Sequence, residues 1–463
     1  MTAQKKRRLM VVNVVGLTPK LITQKTPFLN SLVSQHGRRF IGQITPSVTC
    51  SVQMTYLTGE MPQRHGAVGN GWYFRDLAQV WFWRQPFHLI QAQPVWEALR
   101  EKDPKATTAQ MFWWYNMYHT ADFSATPRPM YPADGRKIPD CYTHPLSLRD
   151  ELTERLGRFP LFEFWGPKTS IRSSQWIAES AKYVEQNHRP TLQLVYLPHM
   201  DYNLQRLGPE HPTVQDDVTQ IDQVVQDLWQ SVQSEDLDLI VLSEYGITPV
   251  LRPVHLNRWL RKQGWLQIKE ELGLEYLDAG ASKVFAVADH QVAHVYVQDA
   301  SLMSRVRGLL DQVPGVEQVW DKGQQKRHGL AHPRSGEFVV IADSESWFTY
   351  YYWEDDQKAP DFARTVDIHR KPGFDPVELF IDPQLPFPKF QILSKLARKK
   401  LGFRQLLDVI PLDASLVKGS HGRPTEDPRQ GPLLISTQPN LLPETDTIAP
   451  TEIKNLMLSH TMG

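Results

Sequence analysis

Apolar residues fall into two patterns along this chain. Short runs that are apolar at both odd and even positions, Leu9–Val15, Thr191–Leu197 and Leu237–Leu242, predict strands buried on both faces, and Thr108–Trp113 adds a fourth. Elsewhere the apolar positions recur every three to four residues. That spacing predicts helices over Thr26–Gln35, with Pro27 near its first turn and Gly37 just past its end, over Val95–Glu101 and over Val218–Val232. Pro46 to Gly59 reads as a loop entering a further helix. Strands alternating with helices predict an α/β fold, a mostly parallel sheet sandwiched by helices.

The texture changes at His255. A helix (Leu256–Gln263), one strand (Lys283–Val297), a helix (Ser301–Val313) and a strand (Glu317–Trp320) predict a small α+β cap inserted into the core. Glu337–Asp343 reads as a return to the main sheet, Pro-rich connections fill 345–390, and the chain beyond Gln438 reads as polar and peripheral. The expected division is therefore core 9–254, cap 255–330, core 331–437 and a C-terminal tail 438–463.

Composition narrows the function. With 14 Trp, 15 Tyr and 19 Phe in 463 residues there is ample apolar surface to bury, which rules out disorder for most of the chain. Lys+Arg and Asp+Glu both number 51, so no overall field draws nucleic acid or an anionic membrane; only a local patch remains open. No apolar run approaches the roughly 18 residues a membrane-crossing helix needs. Lys5, Lys6, Arg7 and Arg8 precede an apolar run, as in a secretory leader, but Val11, Val12, Val14 and Val15 are β-branched and no small-residue cleavage site follows. A buried strand and, with only Cys50 and Cys141, a reducing cytoplasmic setting are expected.

In open α/β sheets ligands bind at the carboxyl ends of the strands. Val15-Gly16, Thr49, Asp201 and Ser243-Glu244-Tyr245-Gly246 each follow an apolar run. A hydroxyl, an aspartate and a glutamate converging there suit metal-assisted transfer with the hydroxyl as nucleophile. Thr49 also stands where a helix begins, and the free N–H groups of a helix start favour phosphate. Cys50 is the alternative nucleophile beside it; Thr49 is preferred.

Several local patterns, in order, resemble the nucleotide pyrophosphatase/phosphodiesterase branch of the alkaline phosphatase superfamily. They are Pro46-Ser47-Val48-Thr49-Cys50-Ser51 with Leu57-Thr58-Gly59, then Met61-Pro62 with His65-Gly66-Ala67-Val68-Gly69-Asn70, then Asp201-Tyr202-Asn203-Leu204-Gln205 with Gly208-Pro209, then Ser243-Glu244-Tyr245-Gly246, and finally Gly419-Ser420-His421-Gly422. The resemblance implies an alkaline-phosphatase-like fold and hydrolysis of a phosphodiester or phosphomonoester of a small organic molecule. It implies Thr49 as nucleophile, Asn70 as a donor to a phosphate oxygen, and two divalent metals, typically zinc, with Asp201 and His421 on one of them.

The departures from the family pattern change that expectation. Val15 stands where an Asp is usual, Gln205 and Tyr245 where His is usual, and Glu244 keeps a carboxylate on a longer stem. A reduced or rearranged site is expected, holding fewer than two ions, zinc or manganese, on Asp201, Glu244 and His421. Asn13, His255, His290, His294 and His369 are the possible replacements, and His290 and His294 share a face whether their segment is strand or helix. Trp72 and Tyr73, with Arg75 close by, are the candidates to hold a ring beside a phosphate. A phosphorylated small molecule is the expected partner, with no nucleic acid. The rival reading is a non-catalytic binder of a phosphorylated or anionic ligand in the same cleft.

Overall fold

The computed structural model describes residues 7–462. Its centre is the strand Arg8–Val14, which pairs in parallel with Leu192–Leu197 on one side and Leu237–Leu242 on the other. Every residue of the two flanking strands is buried, as a parallel sheet covered by helices on both faces requires. The sheet continues outward through Thr108–Met111, Phe123–Pro127 and Cys141–His144 on the Leu192 side. On the other side it continues through Leu433–Ser436, Arg39–Ile41 and Thr447–Ile448, giving nine strands. Leu433–Ser436 runs antiparallel to both neighbours, and Cys141–His144 is antiparallel at its edge.

The helices fall close to where their periodicity places them: Pro27–His36, Val95–Lys102 and Pro212–Val232. Arg7 pairs with Asp238, and Arg8 with Glu185 and Asp236, which ties the start of the first strand to its neighbours. Lys5 and Lys6 lie outside the described residues. Thr49–Thr58 is a helix whose ten residues are all buried, and Gly59 ends it in the left-handed conformation at φ 70°. Its polar side chains are satisfied internally: Ser51 donates to the Ala67 carbonyl, and Thr55 contacts both the Ser51 carbonyl and His65 Nε2.

Three sequence expectations are corrected. Lys283–Val297 is not one strand but a hairpin, Val284–Asp289 and Val292–Val297, turned at His290 with φ 61°. The run of apolar residues hides a turn that has no glycine to mark it. Phe338–Ala342 does not return to the main sheet. It pairs with Val292–Val297 and Val316–Trp320 in a second, four-stranded antiparallel sheet. The segment beyond Gln438 is not peripheral: Thr447–Ile448 is the edge strand of the main sheet, and the helix Ile453–Met462 buries Ile453, Leu456, Met457 and Leu458. Two apolar cores result, one around the main sheet and one around the second sheet with Tyr350–Trp353.

Candidate active site

The main sheet delivers its site residues where the sequence places them, at the carboxyl ends of its central strands. Asn13 is the penultimate residue of the first strand, Asp201 lies in the helix His199–Leu207 that follows Leu192–Leu197, and Glu244 and Tyr245 follow Leu237–Leu242. Thr49, the first residue of its helix, faces them. Its Oγ1 lies 3.0 Å from the Tyr245 hydroxyl, which donates at 3.4 Å to Asp201 Oδ1. Gln205 Nε2 donates to the other Asp201 oxygen at 2.8 Å, one helical turn along.

Glu244 is held by amides rather than by a cation. Asn13 Nδ2 and Gln53 Nε2 both donate to its Oε1, at 2.5 and 2.6 Å, and Gln53 is itself fixed by the Trp114 N–H at 2.7 Å. Glu244 Oε2 and Asn13 Oδ1 have no hydrogen-bond partner. Asn70 is committed to the protein: its Oδ1 accepts from the Cys50 N–H, and its Nδ2 donates to Asp289 Oδ1 at 3.1 Å. Asp289 also accepts the Asn70 N–H and contacts His290 Nδ1 at 2.8 Å. His421 Nδ1 lies 2.8 Å from the Ser47 carbonyl, so it carries the proton and leaves Nε2 as a lone pair without a partner. The His421 ring is stacked between Tyr245, 3.6 Å away and nearly parallel, and His290 at 3.7 Å.

Burial sets the electrostatics. Removed from water, Asp201 is pushed up to about 7, Glu244 to about 8 and Asp289 to about 6. The nearby Asp201 raises Glu244 further, against the Gln53 and Asn13 amides. Burial also raises the Tyr245 phenol and keeps the His290 and His421 rings neutral. The same burial, reinforced by Asp289, pushes the Cys50 thiol up and favours its neutral form.

Above this floor opens a cleft of about 540 Å³, reaching from Thr49, Tyr245 and His421 outward past Trp83, Trp165 and Phe374. Lys137, Lys168, Arg370 and Lys399 stand along it, and His369 is on its wall.

The structure thus brings together Thr49, Asn70, Asp201, Glu244, His421, Asn13 and His290. It places the other candidates elsewhere. Trp72 is buried beneath Arg334, Tyr73 packs edge-on against Phe285 and Tyr296, and Arg75 pairs with Glu337; none of the three lines the cleft. The strand Gly71–Phe74 carries them away from Thr49 towards the second sheet. His255 bonds Thr349, and His294 is engaged by the Val68 carbonyl and the Gly336 N–H. His290 and His294 do not share a face, because the turn at His290 breaks the strand period. Sequence reasoning missed Asp289, Gln53 and the seat of the Tyr245 phenol. Only the position of Asp289 immediately before a turn histidine hints at it.

The profile described as type I phosphodiesterase/nucleotide pyrophosphatase matches residues 9–375. The chain belongs to this family. Solved structures of the same fold include phosphonoacetate hydrolase from Sinorhizobium meliloti 1021 in complex with phosphonoformate, at 13% identity and a TM-score of 0.62, covering 98% of this chain and 96% of that one. Another is murine ectonucleotide pyrophosphatase/phosphodiesterase 5, an inactive variant in complex with AMP, at 14% identity and a TM-score of 0.58, covering 98% and 95%. No curated protein sequence matches. Like those neighbours, this phosphodiesterase-family chain has the alkaline-phosphatase-like sandwich.

Members of the family are metal-dependent hydrolases, and the donor set of this chain does not fit a two-ion centre. One half of such a centre is occupied by Val15, which has no donor atom, by Glu244 under two amides, and by Tyr245, whose ring lies on His421 and whose hydroxyl lies between Thr49 and Asp201. The other half keeps Asp201 and the His421 lone pair but has the Gln205 amide, whose Oε1 is unpartnered, in place of an imidazole. Among the described residues no three His, Cys, Asp or Glu side chains gather in metal-binding geometry. In no described segment is a helix long and apolar enough to cross a membrane.

Proposed function

We propose that this chain hydrolyses a phosphodiester, phosphomonoester or phosphonate of a small molecule with an apolar body, using Thr49 as nucleophile and no two-ion centre. The observation that carries the reading is the hydrogen-bonded chain Thr49–Tyr245–Asp201 at the floor of the cleft. Thr49 Oγ1 attacks phosphorus as the bond from phosphorus to the leaving group breaks, and the leaving group takes a proton from water; the Thr49 proton passes to the Tyr245 oxygen, and the Tyr245 proton passes to Asp201 Oδ1. Asp201, whose value burial raises to about 7, is suited to take that proton when ionised and to return it through Tyr245 to Thr49 Oγ1 as water attacks phosphorus and the Oγ1–P bond breaks, the water proton leaving on the released product. The basic groups along the cleft favour an anionic substrate, and its aromatic walls favour an apolar remainder.

The test is turnover of aryl phosphodiesters and phosphonates, with and without zinc or manganese, followed by acid quenching and mass analysis of the Thr49 peptide. A phosphorylated peptide that disappears in Thr49→Ala is the expected result; unchanged turnover in Thr49→Ala overturns the assignment. The amide capping of Glu244 and the loss of a ligand at Val15 favour a second reading, a non-catalytic binder. Calorimetric binding of AMP or phosphonoformate, with no turnover under any metal, would select it.

A further inference from the structure

The helix Pro388–Lys400 buries none of its thirteen residues. Nevertheless, it is not a polar helix. Of the eighteen exposed large apolar side chains among the described residues, eight fall within 387–407. Phe390, Leu393, Ala397 and Leu401 recur at i, i+3, i+7 and i+11, which makes one stripe along the helix, and Phe390, Leu393 and Leu401 are 74%, 65% and 76% exposed. Phe387 and Phe403, at 81% and 65%, extend the stripe at each end. A soluble surface rarely carries so much contiguous apolar area without a partner.

The charges around the stripe are all of one sign. Between Asp382 and Asp408 the sequence has no acidic residue, but it has Lys389, Lys395, Arg398, Lys399, Lys400 and Arg404. Lys395 is paired with Asp408, and the Arg404 guanidinium donates to the Ala133 carbonyl. On the helical wheel Lys389 and Lys400 flank the stripe on one side and Arg398 on the other. This is the local basic patch that a net charge of zero leaves open. The opposite face of the same helix sends Ile392, Leu396 and Lys399 into the lining of the catalytic cleft. Tyr131, Phe162 and Ile381, also exposed, line that cleft and continue the apolar surface.

We propose that residues 387–407 lie in the plane of an anionic lipid bilayer, with Phe387, Phe390, Leu393, Leu401 and Phe403 inserted at the headgroup–acyl boundary and the flanking cations on lipid phosphates. An apolar stripe bordered by Lys and Arg, on a helix too polar and too short to span, is the pattern of an interfacial helix. Charge complementarity selects an anionic bilayer over a protein partner, whose docking groove would have to be both acidic and open to aromatic side chains.

The full chain is sedimented with vesicles of pure phosphatidylcholine and with vesicles containing about 30% phosphatidylserine. The expected result is binding to the anionic vesicles at least about tenfold tighter than to the neutral ones, weakening as salt is raised. Phe390→Asp/Leu393→Asp abolishes it. Lys389→Gln/Arg398→Gln/Lys400→Gln weakens it by about 100-fold, roughly fivefold for each cation. Both variants change exposed positions, and unchanged thermal unfolding verifies that they fold. Absence of binding, equal binding to both vesicles, or binding that survives Phe390→Asp/Leu393→Asp overturns the proposal. Light scattering that shows a dimer dispersed by Phe390→Asp/Leu393→Asp, with no vesicle binding, overturns it in favour of contact between copies of this chain. Neither outcome depends on whether Thr49 is a nucleophile.

Discussion

Asp201 and Glu244 both lie just beyond the ends of the two buried strands that flank the first strand, yet their surroundings differ. Around Asp201 the donors still face the cleft: Gln205 is one turn away, the Tyr245 hydroxyl approaches, and the His421 lone pair stands free of any partner. Around Glu244 the space has been closed by Asn13, Gln53 and the ring of Tyr245 over His421. Raised to about 8, Glu244 is mostly protonated at neutral pH, and the two amides bond it without bringing a net charge. The comparison separates two halves of one floor by how each is held. One half is now fixed by neutral hydrogen bonds, and the other keeps a group able to exchange a proton near neutrality.

Substitutions can break or sharpen that contrast. The largest effect is expected at Thr49, which belongs to neither half and serves both: Thr49→Ala lowers turnover by about a thousandfold or more with little change in thermal stability. Next is Tyr245→Phe, which keeps the stack on His421 but removes the hydroxyl that joins Thr49 to Asp201. Turnover falls by about a hundredfold. In the wild type, turnover rises with pH through about 7 as Asp201 ionises, and this limb is lost in Tyr245→Phe; pH–rate profiles check it.

A third effect appears in stability rather than rate. Glu244 has an ordinary value of 4.5 and is raised to about 8, so the folded state favours its protonated form. Its contribution is fully present below about pH 4.5, declines as pH rises, and is gone above about 8, a change of a few kcal/mol. Glu244→Gln, which keeps an acceptor for Asn13 and Gln53, flattens this slope; urea unfolding between about pH 5 and pH 9 measures it. The smallest effect belongs to Arg75→Ala. Its guanidinium is partly exposed, pairs with Glu337 and bonds the Pro333 and Ser335 carbonyls away from Thr49, so stability changes by about 1 kcal/mol and turnover stays within twofold.

Much of this architecture could be read from residues alone, because buried parallel strands leave unbroken apolar runs. Leu237–Leu242 is observed with the bounds the pattern gives, and the residues following such runs are the ones that meet at the floor. What was not legible has specific causes. The hairpin turn at His290 lacks glycine, so one apolar run concealed two strands and the position of Asp289 against Asn70. The Gly71–Phe74 strand is aromatic enough to suggest a pocket, but its rings fill the boundary between two cores. The sequence shows that Tyr245 replaces a histidine; only the fold shows that its phenol bridges Thr49 and Asp201. The tail beyond Gln438 looked polar because its apolar side is a single helix face.

That last helix has a consequence for how the protein is made. Ile453–Met462 packs against Thr49–Thr58, and its His460 reaches Asp238 and Ser436 within the main sheet. Ser436, His460 and Asp238 are linked like a hydrolytic triad, but all three are fully buried, so they act as a clasp. A nascent chain emerging from the ribosome therefore presents Thr49 early and cannot brace it until some four hundred residues later. The helix that carries Thr49 lacks this brace until residues 453–462 have been made, and truncation just before residue 453 would leave it unsupported on that side.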